Sequence, residues 1–433
     1  MSEVVNIPQL RFPEFNGEWE EKALGVVATI TTGSTPSTSN NEYYDGDVAF
    51  VSPADIQGNR IVRSTKTTIT ELGLSVVREI KKRSTLFVCI GSTIGKVSQA
   101  GVNCATNQQI NALTAKNSFD NDFIYSLLEF KAPRIKLLAG VQAVPQINKS
   151  EFSRFKFTFP LLPEQQKIAA FLTAVDNKIE QLSKKQALLG EYKKGLMQQI
   201  FSQAIRFHSK GTSSQAQGEI DDTPGQPLLP NGNSPSGSDF PDWEEKKLGD
   251  ITDLITKGTT PTSVGYNFTT EGINFIKVES IKNFKIDIGS VPKISEECHH
   301  HLKRSQLKNN DIVFSIAGTL GRTAIVKNKD LPANTNQALS IIRLNRSQHI
   351  LFVHYLLNLE SIDKYIHRML SVGAQPNLSL QQVGDIQLQL PSLLEQSKIT
   401  NFLSSIDNKI EQVGKQLDES KQFKKALLQQ MFI

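Results

Sequence analysis

The segment Gly91-Ser-Thr-Ile-Gly95-Lys96-Val97 has the outline of a phosphate-cradling loop, in which glycines bring backbone N–H groups close and a following Lys and hydroxyl engage phosphate and Mg²⁺. It has one residue too few between the glycines, and Val97 stands where the metal-binding hydroxyl belongs. A related stretch, Val313-Phe-Ser-Ile-Ala-Gly-Thr-Leu-Gly-Arg322, puts an arginine in the lysine position. These glycines therefore read as a turn between two strands, with Lys96 and Arg322 as candidate phosphate contacts. Cys298-His299-His300-His301 offers metal-binding side chains, but four contiguous residues cannot all converge on one tetrahedral ion. No second Cys/His pair lies at ligand spacing, and no Ser/His/Asp arrangement can be picked out, so the expectation is a chain without a metal or a catalytic site.

What must position any functional residue is a long motif that occurs twice. Pro160-Leu-Leu-Pro-Glu-Gln-Gln-Lys-Ile-Ala-Ala-Phe-Leu-Thr-Ala-Val-Asp-Asn-Lys-Ile-Glu-Gln181 returns as Pro391 to Gln412, identical at 14 of 22 positions. Such a repeat is a duplicated structural unit. Apolar residues at Ile168, Leu172, Val175, Ile179, Leu182, Leu189, Leu196 and Ile200 alternate in steps dominated by three, four and seven. So do Ile399, Leu403, Ile406, Ile410, Val413, Leu417, Leu427 and Met431. This 3.5-residue seam predicts two long helices, each needing a partner helix along a narrow stripe. Each opens on a Glu-Gln pair, favourable chemistry for a helix N-terminus. Gly190, Gly195 and Gly414 inside them predict local fraying. The seams can pair within the chain or between two copies, and the repeat favours the first.

The regions before the helices correspond more loosely. Trp19-Glu-Glu-Lys matches Trp243-Glu-Glu-Lys, Thr32-Gly-Ser-Thr-Pro matches Lys257-Gly-Thr-Thr-Pro, and Ala105-Thr-Asn-Gln108 matches Asn334-Thr-Asn-Gln337. Short apolar runs (Asp47–Val51, Leu86–Ile90, Ile312–Ile316) predict strands, and Asp122–Leu138 and Leu351–Leu370 predict helices, giving an α+β domain seen twice. The expected order is a domain over 1–160, a helix over 161–201, a mobile Gly/Ser/Pro-rich linker over 202–239, a domain over 240–390 and a helix over 391–433. With 433 residues, three cysteines and no long apolar run, the chain reads as a cytoplasmic protein without membrane association. Its net charge of +5 permits nucleic-acid binding without demanding it.

Together, the duplicated Pro-x-x-x-Glu-Gln-x-Lys-Ile-x-x-Phe-Leu-x-x-x-Asp-Asn-Lys-Ile-Glu-Gln helix, the Trp-Glu-Glu-Lys openings and the Gly-x-Thr-Pro segments resemble the specificity subunit of type I restriction-modification enzymes. The resemblance covers the whole chain apart from the linker. It implies an α+β fold with two similar target-recognition domains separated by two long helices packed as an antiparallel coiled coil, with pseudo-two-fold symmetry. Each domain would read one half of a bipartite double-stranded DNA target, while the helices set the spacer and dock partners. The implied partners are two modification subunits, which bind S-adenosylmethionine, and two restriction subunits, which use ATP and Mg²⁺. No cofactor is expected in this chain. It lacks the Asn/Asp-Pro-Pro-aromatic tetrapeptide of an amino-group methyltransferase and reads as non-catalytic. The alternative is a stand-alone bipartite DNA-binding regulator without a methyltransferase partner.

Reading DNA requires polar side chains at base edges, and Lys, Arg, Ser and Thr at phosphates to set register. One candidate group is hydroxyl-rich: Ser34, Thr35 and Ser37 with Thr259, Thr260 and Thr262. A second lies where the two copies diverge: Gln57, Asn59, Arg60, Arg63 and Lys66, against Lys277, Glu279, Lys282, Asn283 and Lys285. A third precedes the long helices, Gln142 and Gln146 with Gln375 and Asn377. Asn107, Gln108, Asn336 and Gln337, shared by both copies, are expected to serve the fold or the DNA backbone. The repeated Asp176-Asn177-Lys178 and Asp407-Asn408-Lys409 are expected on exposed faces, as two equivalent docking sites.

Overall fold

The computed structural model describes residues 6–139, 145–207, 240–289, 291–369 and 377–433. The chain divides into two units, one running to Ala187 and completed by Glu411–Ile433, the other Leu188–Ile410. The long helices span Leu162–Phe201 and Leu393–Met431, so each contributes to both units.

In the first unit a five-stranded sheet runs in the order Ala28–Thr32, Ile110–Ala115, Thr85–Val88, Val97–Ala100 and Ile61–Val62. Thr85–Val88 is buried at every position, as expected of a strand covered on both faces. Thr67–Ile69, Tyr44–Val51 and Cys104–Thr106 form a separate three-stranded sheet. The second unit repeats the frame: Thr252–Lys257, Leu339–Leu344, Ile312–Ser315 and Thr323–Ile325 form one sheet, and Lys293–Ile294, Ile273–Ile276 and Ala333–Thr335 the other. The copies part where their sequences diverge. The first uses Ile61–Val62 as a fifth strand, parallel to Val97–Ala100; the second has a hairpin, Ile281–Lys282 with Lys285–Ile286. The helix expected over Leu351–Leu370 is two helices, Ile350–Leu356 and Glu360–Met369. Asn358 Nδ2 donates to the His354 carbonyl (2.6 Å), giving the last turn of the first a side-chain partner. Leu370 lies outside the described residues.

Each domain hands its chain to its helix through a two-stranded ribbon. The strand after Trp19, Glu20–Ala23, pairs antiparallel with Lys156–Phe159, and the strand after Trp243, Glu244–Lys247, pairs with Gln387–Leu390. The helix N-termini are then clamped. Glu164 (2 % exposed) accepts from Arg11 Nε (2.8 Å), Arg11 Nη2 (2.7 Å) and the Trp19 indole (3.3 Å). Glu395 (0 % exposed) accepts from Arg206 Nε (3.2 Å), Arg206 Nη2 (2.9 Å) and the Trp243 indole (3.2 Å). The neighbouring glutamines, Gln165 and Gln396, each donate to the carbonyl of the preceding Pro160 or Pro391 and accept from the backbone N–H of Asp120 or His349. The Glu-Gln pair is therefore an anchor to the domain, beyond its compatibility with the helix dipole. Arg206 and Phe207 also move the start of the second domain. Phe207 stands edge-on to Phe402 as Phe12 does to Phe171, so these two residues, placed in the linker by sequence, belong to the repeated frame. The remainder of the linker, 208–239, lies outside the described residues.

Within each unit the helix segments run antiparallel. Asp176 meets Lys424, and Gln186 lies beside Gly414 further on; in the other unit Lys193 meets Asp407. Ile168, Leu172, Leu182, Leu196, Ile200, Ile399, Leu403, Ile406, Val413, Leu417, Leu427 and Met431 are buried, as the seam requires. Gly190, Gly195 and Gly414 leave both helices unbroken, because tertiary packing outweighs a propensity cost of about 1 kcal/mol each.

Because the clamp carboxylates are buried, removing one strands an arginine and an indole N–H. Glu164→Ala is expected to destabilise the first unit by about 3–5 kcal/mol, and Glu395→Ala the second by a similar amount. Hydrogen exchange should lose protection in the unit carrying the change; equal loss in both units from either variant would contradict this.

Candidate nucleic-acid interface

In the first unit four loops meet at one end of the sheets. The hydroxyl-rich loop leaves Ala28–Thr32 through Gly33, whose N–H donates to Ile110 O (3.0 Å). A Cβ on Gly33 would lie 2.2 Å from Asn107 O, so only glycine permits this approach. Thr35 Oγ1 then donates to Gln108 Oε1 (2.8 Å) in the Asn-Gln turn. That turn is tied to the glycine turn, since Cys89 N donates to Gln109 O (2.8 Å) and Gln109 Nε2 to Ile90 O (3.4 Å). The loop before the long helix closes the set: Gly91 N donates to Pro145 O (2.9 Å) and Ile147 N to Cys89 O (2.9 Å), with Gln146 bridged to Ile90. The second unit repeats the linkage. A Cβ on Gly258 would fall 2.0 Å from Thr335 O, Thr260 Oγ1 donates to Gln337 Oε1, Ile316 N donates to Ala338 O (2.8 Å), and Asn377 is bridged to Ala317. The glycines do form strand-to-strand turns, with Gly91, Gly95, Gly318 and Gly321 all at positive φ.

This brings together much of the hydroxyl-rich and pre-helix groups. Thr35, Ser37, Gln146, Thr262 and Asn377 are exposed, and Ser34, Thr259 and Thr260 are half-buried. Gln142 and Gln375 lie outside the described residues. Arg322 is exposed, whereas Lys96 turns inward and donates to Pro53 O (3.2 Å), bracing the divergent segment.

The divergent segment of the first unit is closed by Asp55, which accepts from Ser52 N (2.9 Å), Ser52 Oγ (2.7 Å) and Lys66 N (2.9 Å). Burial opposes ionisation of Asp55, but the hydrogen bonds from Lys66 and Ser52 hold its carboxyl below the usual range. Gln57, Asn59 and Lys66 are exposed. Arg63 is exposed as well, but Arg60 is not presented with them. The Arg60 guanidinium is buried, bonded to Asp122 (2.9 Å), Asp176 (2.9 Å) and Gln99 Oε1 (2.9 Å), and lies 4.8 Å over the Tyr125 ring. Arg63 reaches Glu180 on the long helix at 3.3 Å. Arg60 is drawn inward because two carboxylates and an amide oxygen each take one edge of its guanidinium, whereas Arg63 stays exposed beside its single surface partner. In the second unit Lys277 Nζ sits 4.7 Å over Phe268, Lys282 pairs with Asp287 (2.8 Å), and Glu279 and Lys285 are exposed. Asn283 and Phe284 form the hairpin tip with φ of 48° and 61°, and the Phe284 ring is largely exposed.

The helix-face expectation is also corrected. Asp176 is buried between Arg60 and Lys424 (2.6 Å), and Asp407 binds Lys193 (2.6 Å) and the Tyr355 hydroxyl (2.6 Å). These aspartates recur because they join helix to helix, which leaves Asn177, Lys178 and Asn408 as the exposed part of the motif. Burial opposes ionisation of Asp122 too, yet bonds from Gln99 and Arg83 and the charge of Arg60 hold it below the ordinary carboxylate range. Burial pushes the Cys89 and Cys104 thiols up to about 12. Cys298 lies in the core with Phe275 and Ile294, His299 bonds Asn334, and His301 stacks near Tyr266, so the Cys-His run points several ways. Among the described residues no helix is long and apolar enough to cross a membrane.

A frame built twice, with loops gathered at one end of each sheet pair and a long helix clamped to each domain, defines a duplicated recognition module. The chain belongs to the family of the type I restriction modification DNA specificity domain, whose model matches residues 16–189 and again 241–420. It is 25 % identical over 425 residues to the MjaVIII specificity subunit of Methanocaldococcus jannaschii, covering 97 % of this chain and 92 % of that one. The MjaIX specificity subunit of the same organism is 24 % identical, covering 95 % and 92 %. The EcoR124I/EcoR124II specificity subunit of Escherichia coli is 28 % identical over 39 % of this chain and 43 % of its own length. Among solved structures, the S subunit of the type I system of M. genitalium superposes with a TM-score of 0.61 at 17 % identity, over 99 % of both chains. A chain from a structure on complex assembly and conformational transition of a type I system gives 0.54, also at 17 % identity, over 96 % and 97 %.

The Arg60 contacts make a direct test of how the divergent segment is held. A double-mutant cycle of Arg60→Met and Asp176→Asn, followed by urea unfolding of the first unit, is expected to show a coupling of about 1–3 kcal/mol. A coupling below about 0.5 kcal/mol would mean that the pair does not secure the segment.

Proposed function

We propose that this chain is the DNA sequence-specificity subunit of a type I restriction-modification complex, with each domain reading one half of a bipartite target. The observation that carries the reading is the contrast inside one frame. The clamp, the glycine turns and the Thr–Gln bonds recur in both units, while the inserted segment is a fifth strand in one and a hairpin in the other. A kept scaffold with unlike inserts suits two domains doing one job on two sequences. The exposed candidates at the loop end, with Gln57, Asn59, Lys66, Lys282, Asn283 and Lys285 from the inserts, supply donors and acceptors suited to base edges and phosphates.

The chain acts without chemistry of its own. Two modification subunits bind S-adenosylmethionine and methylate, and two restriction subunits bring ATP and Mg²⁺. The long helices carry the partners and set the spacer between half-sites. Family membership favours this reading over a free-standing regulator, because the matched domain is that of type I restriction-modification systems.

Exchange of residues 240–390 for the corresponding segment of a relative with a different target tests the division of labour. Methylation mapping in a host with the modification partner should show one half-site changed and the other kept; a chimera that alters both would contradict it. The helices are tested by inserting four residues after both Leu182 and Val413. This lengthens each by about 6 Å, against about 3.4 Å per base pair of duplex. The mapped spacer should grow by one or two base pairs with both half-sites unchanged, and a fully active variant that keeps the parental spacer would show that the helices are not the ruler.

A further inference from the structure

We propose that Gln108 and Gln337 are matched phosphate contacts, sequence-blind anchors that seat each domain on the DNA backbone; this rests on the DNA-reading function above. A residue present at the same point of both domains cannot distinguish two half-sites, but it can set register on a backbone that is chemically the same at every step. Both glutamines are exposed, each at the turn linking a buried strand (Cys104–Thr106, Ala333–Thr335) to the next (Ile110–Ala115, Leu339–Leu344). An exposed side chain at such a place contributes little burial, so the core does not account for its recurrence.

The two amides are held alike. A threonine hydroxyl, Thr35 or Thr260, donates to Oε1, which leaves the two Nε2 protons without an acceptor among the described residues. The turn beneath is fixed in both units by an asparagine: Asn107 Oδ1 accepts from Gln109 N (3.2 Å) and Asn336 Oδ1 from Ala338 N (3.2 Å). Gly33 and Gly258 press the threonine loop onto that turn with no room for a side chain. An oriented, pre-ordered N–H₂ group loses little conformational freedom when an anion arrives.

The strand leading into each threonine loop has exposed cations packed against it. Arg78 Nη1 donates to Thr32 O (2.7 Å), at the end of the strand that leads into the Thr35 loop, and the arginine is exposed. In the second unit the turn Lys303–Ser305 packs against the strand Thr252–Lys257, with Lys303 and Arg304 exposed. An amide donor pair with exposed cations on the adjoining strand fits a phosphate diester, whose oxygens are the same at every step.

The test uses the full-length chain in complex with its modification subunit, with anisotropy of its target duplex and of an unrelated duplex across a salt series, and methylation mapping to report the motif. Gln108→Ala and Gln337→Ala are each expected to weaken binding to both duplexes by about 10-fold, with an additive loss in the double variant and an unchanged motif. Gln108→Glu keeps the acceptor for Thr35 but turns a carboxylate toward the phosphate, so it should bind more weakly than Gln108→Ala. Removing an amide releases no counterion and should leave the salt slope as it was, whereas Arg78→Ala should reduce it by about 0.9. A changed base in one half-site would make the glutamine a base reader and overturn the proposal, as would unaltered affinity in both Gln108 variants. A wild-type complex that binds neither duplex would overturn the DNA-reading function itself.

Discussion

A buried carboxylate at the first turn of each long helix organises the molecule. Glu164 and Glu395 are almost without solvent, and a charge in that position must be neutralised and hydrogen-bonded or the helix start would not stay buried. Three sources meet the demand in each unit: a bidentate arginine from the segment ahead of the domain, an indole N–H from the domain's first strand region, and the helix N-terminus itself. Because the carboxylate, itself in the first turn of the helix, bonds the arginine and the indole at once, the incoming chain, the domain and the helix are locked in one arrangement. The glutamine beside it extends the lock to the helix or turn that flanks the sheet.

That lock explains how so much variation is tolerated between the clamp and the next helix. The sheets and the loop end are fixed by backbone hydrogen bonds and by close-approach glycines, features that do not depend on the inserted segment. The inserts then attach by whatever contacts their own sequence provides. In the first unit Arg60 crosses to Asp176, the aspartate that also joins the two helices, so the insert and the helix pair share one carboxylate. In the second unit a tyrosine from the domain's own helix takes the matching aspartate, and burial followed by the bond to Asp407 drives its hydroxyl well above the usual range. The same helix position keeps a lysine from the other long helix in each copy and takes a different second partner.

The long helices, their seam and the α+β duplication were legible along the chain because they rest on periodicity and repetition. A 3.5-residue stripe can bury only one narrow face, and 14 identities in 22 positions can arise only from a duplicated unit. Family membership was legible for the same reason, since the repeated motif is long. The Arg-Phe pairs at 11–12 and 206–207 escaped notice, although their signal was present, because they stand at very different distances from Trp19 and Trp243 and only shared partners reveal them as equivalent.

The destination of each polar side chain was decided by tertiary structure. Arg60 and Gln57 come from one divergent stretch, yet one is buried on a helix and the other faces water. Asp176 reads as an exposed docking residue and is a buried bridge, while Gln108, which reads as serving either the fold or the DNA backbone, stands exposed and bonded to Thr35. A pattern of apolar residues determines which face of an element is covered, since burial of apolar area is additive along the chain and needs no particular partner. A charge or an amide has no such average preference. Its place depends on whether one complementary atom, often more than a hundred residues away, arrives within hydrogen-bonding distance, and only the folded chain determines that.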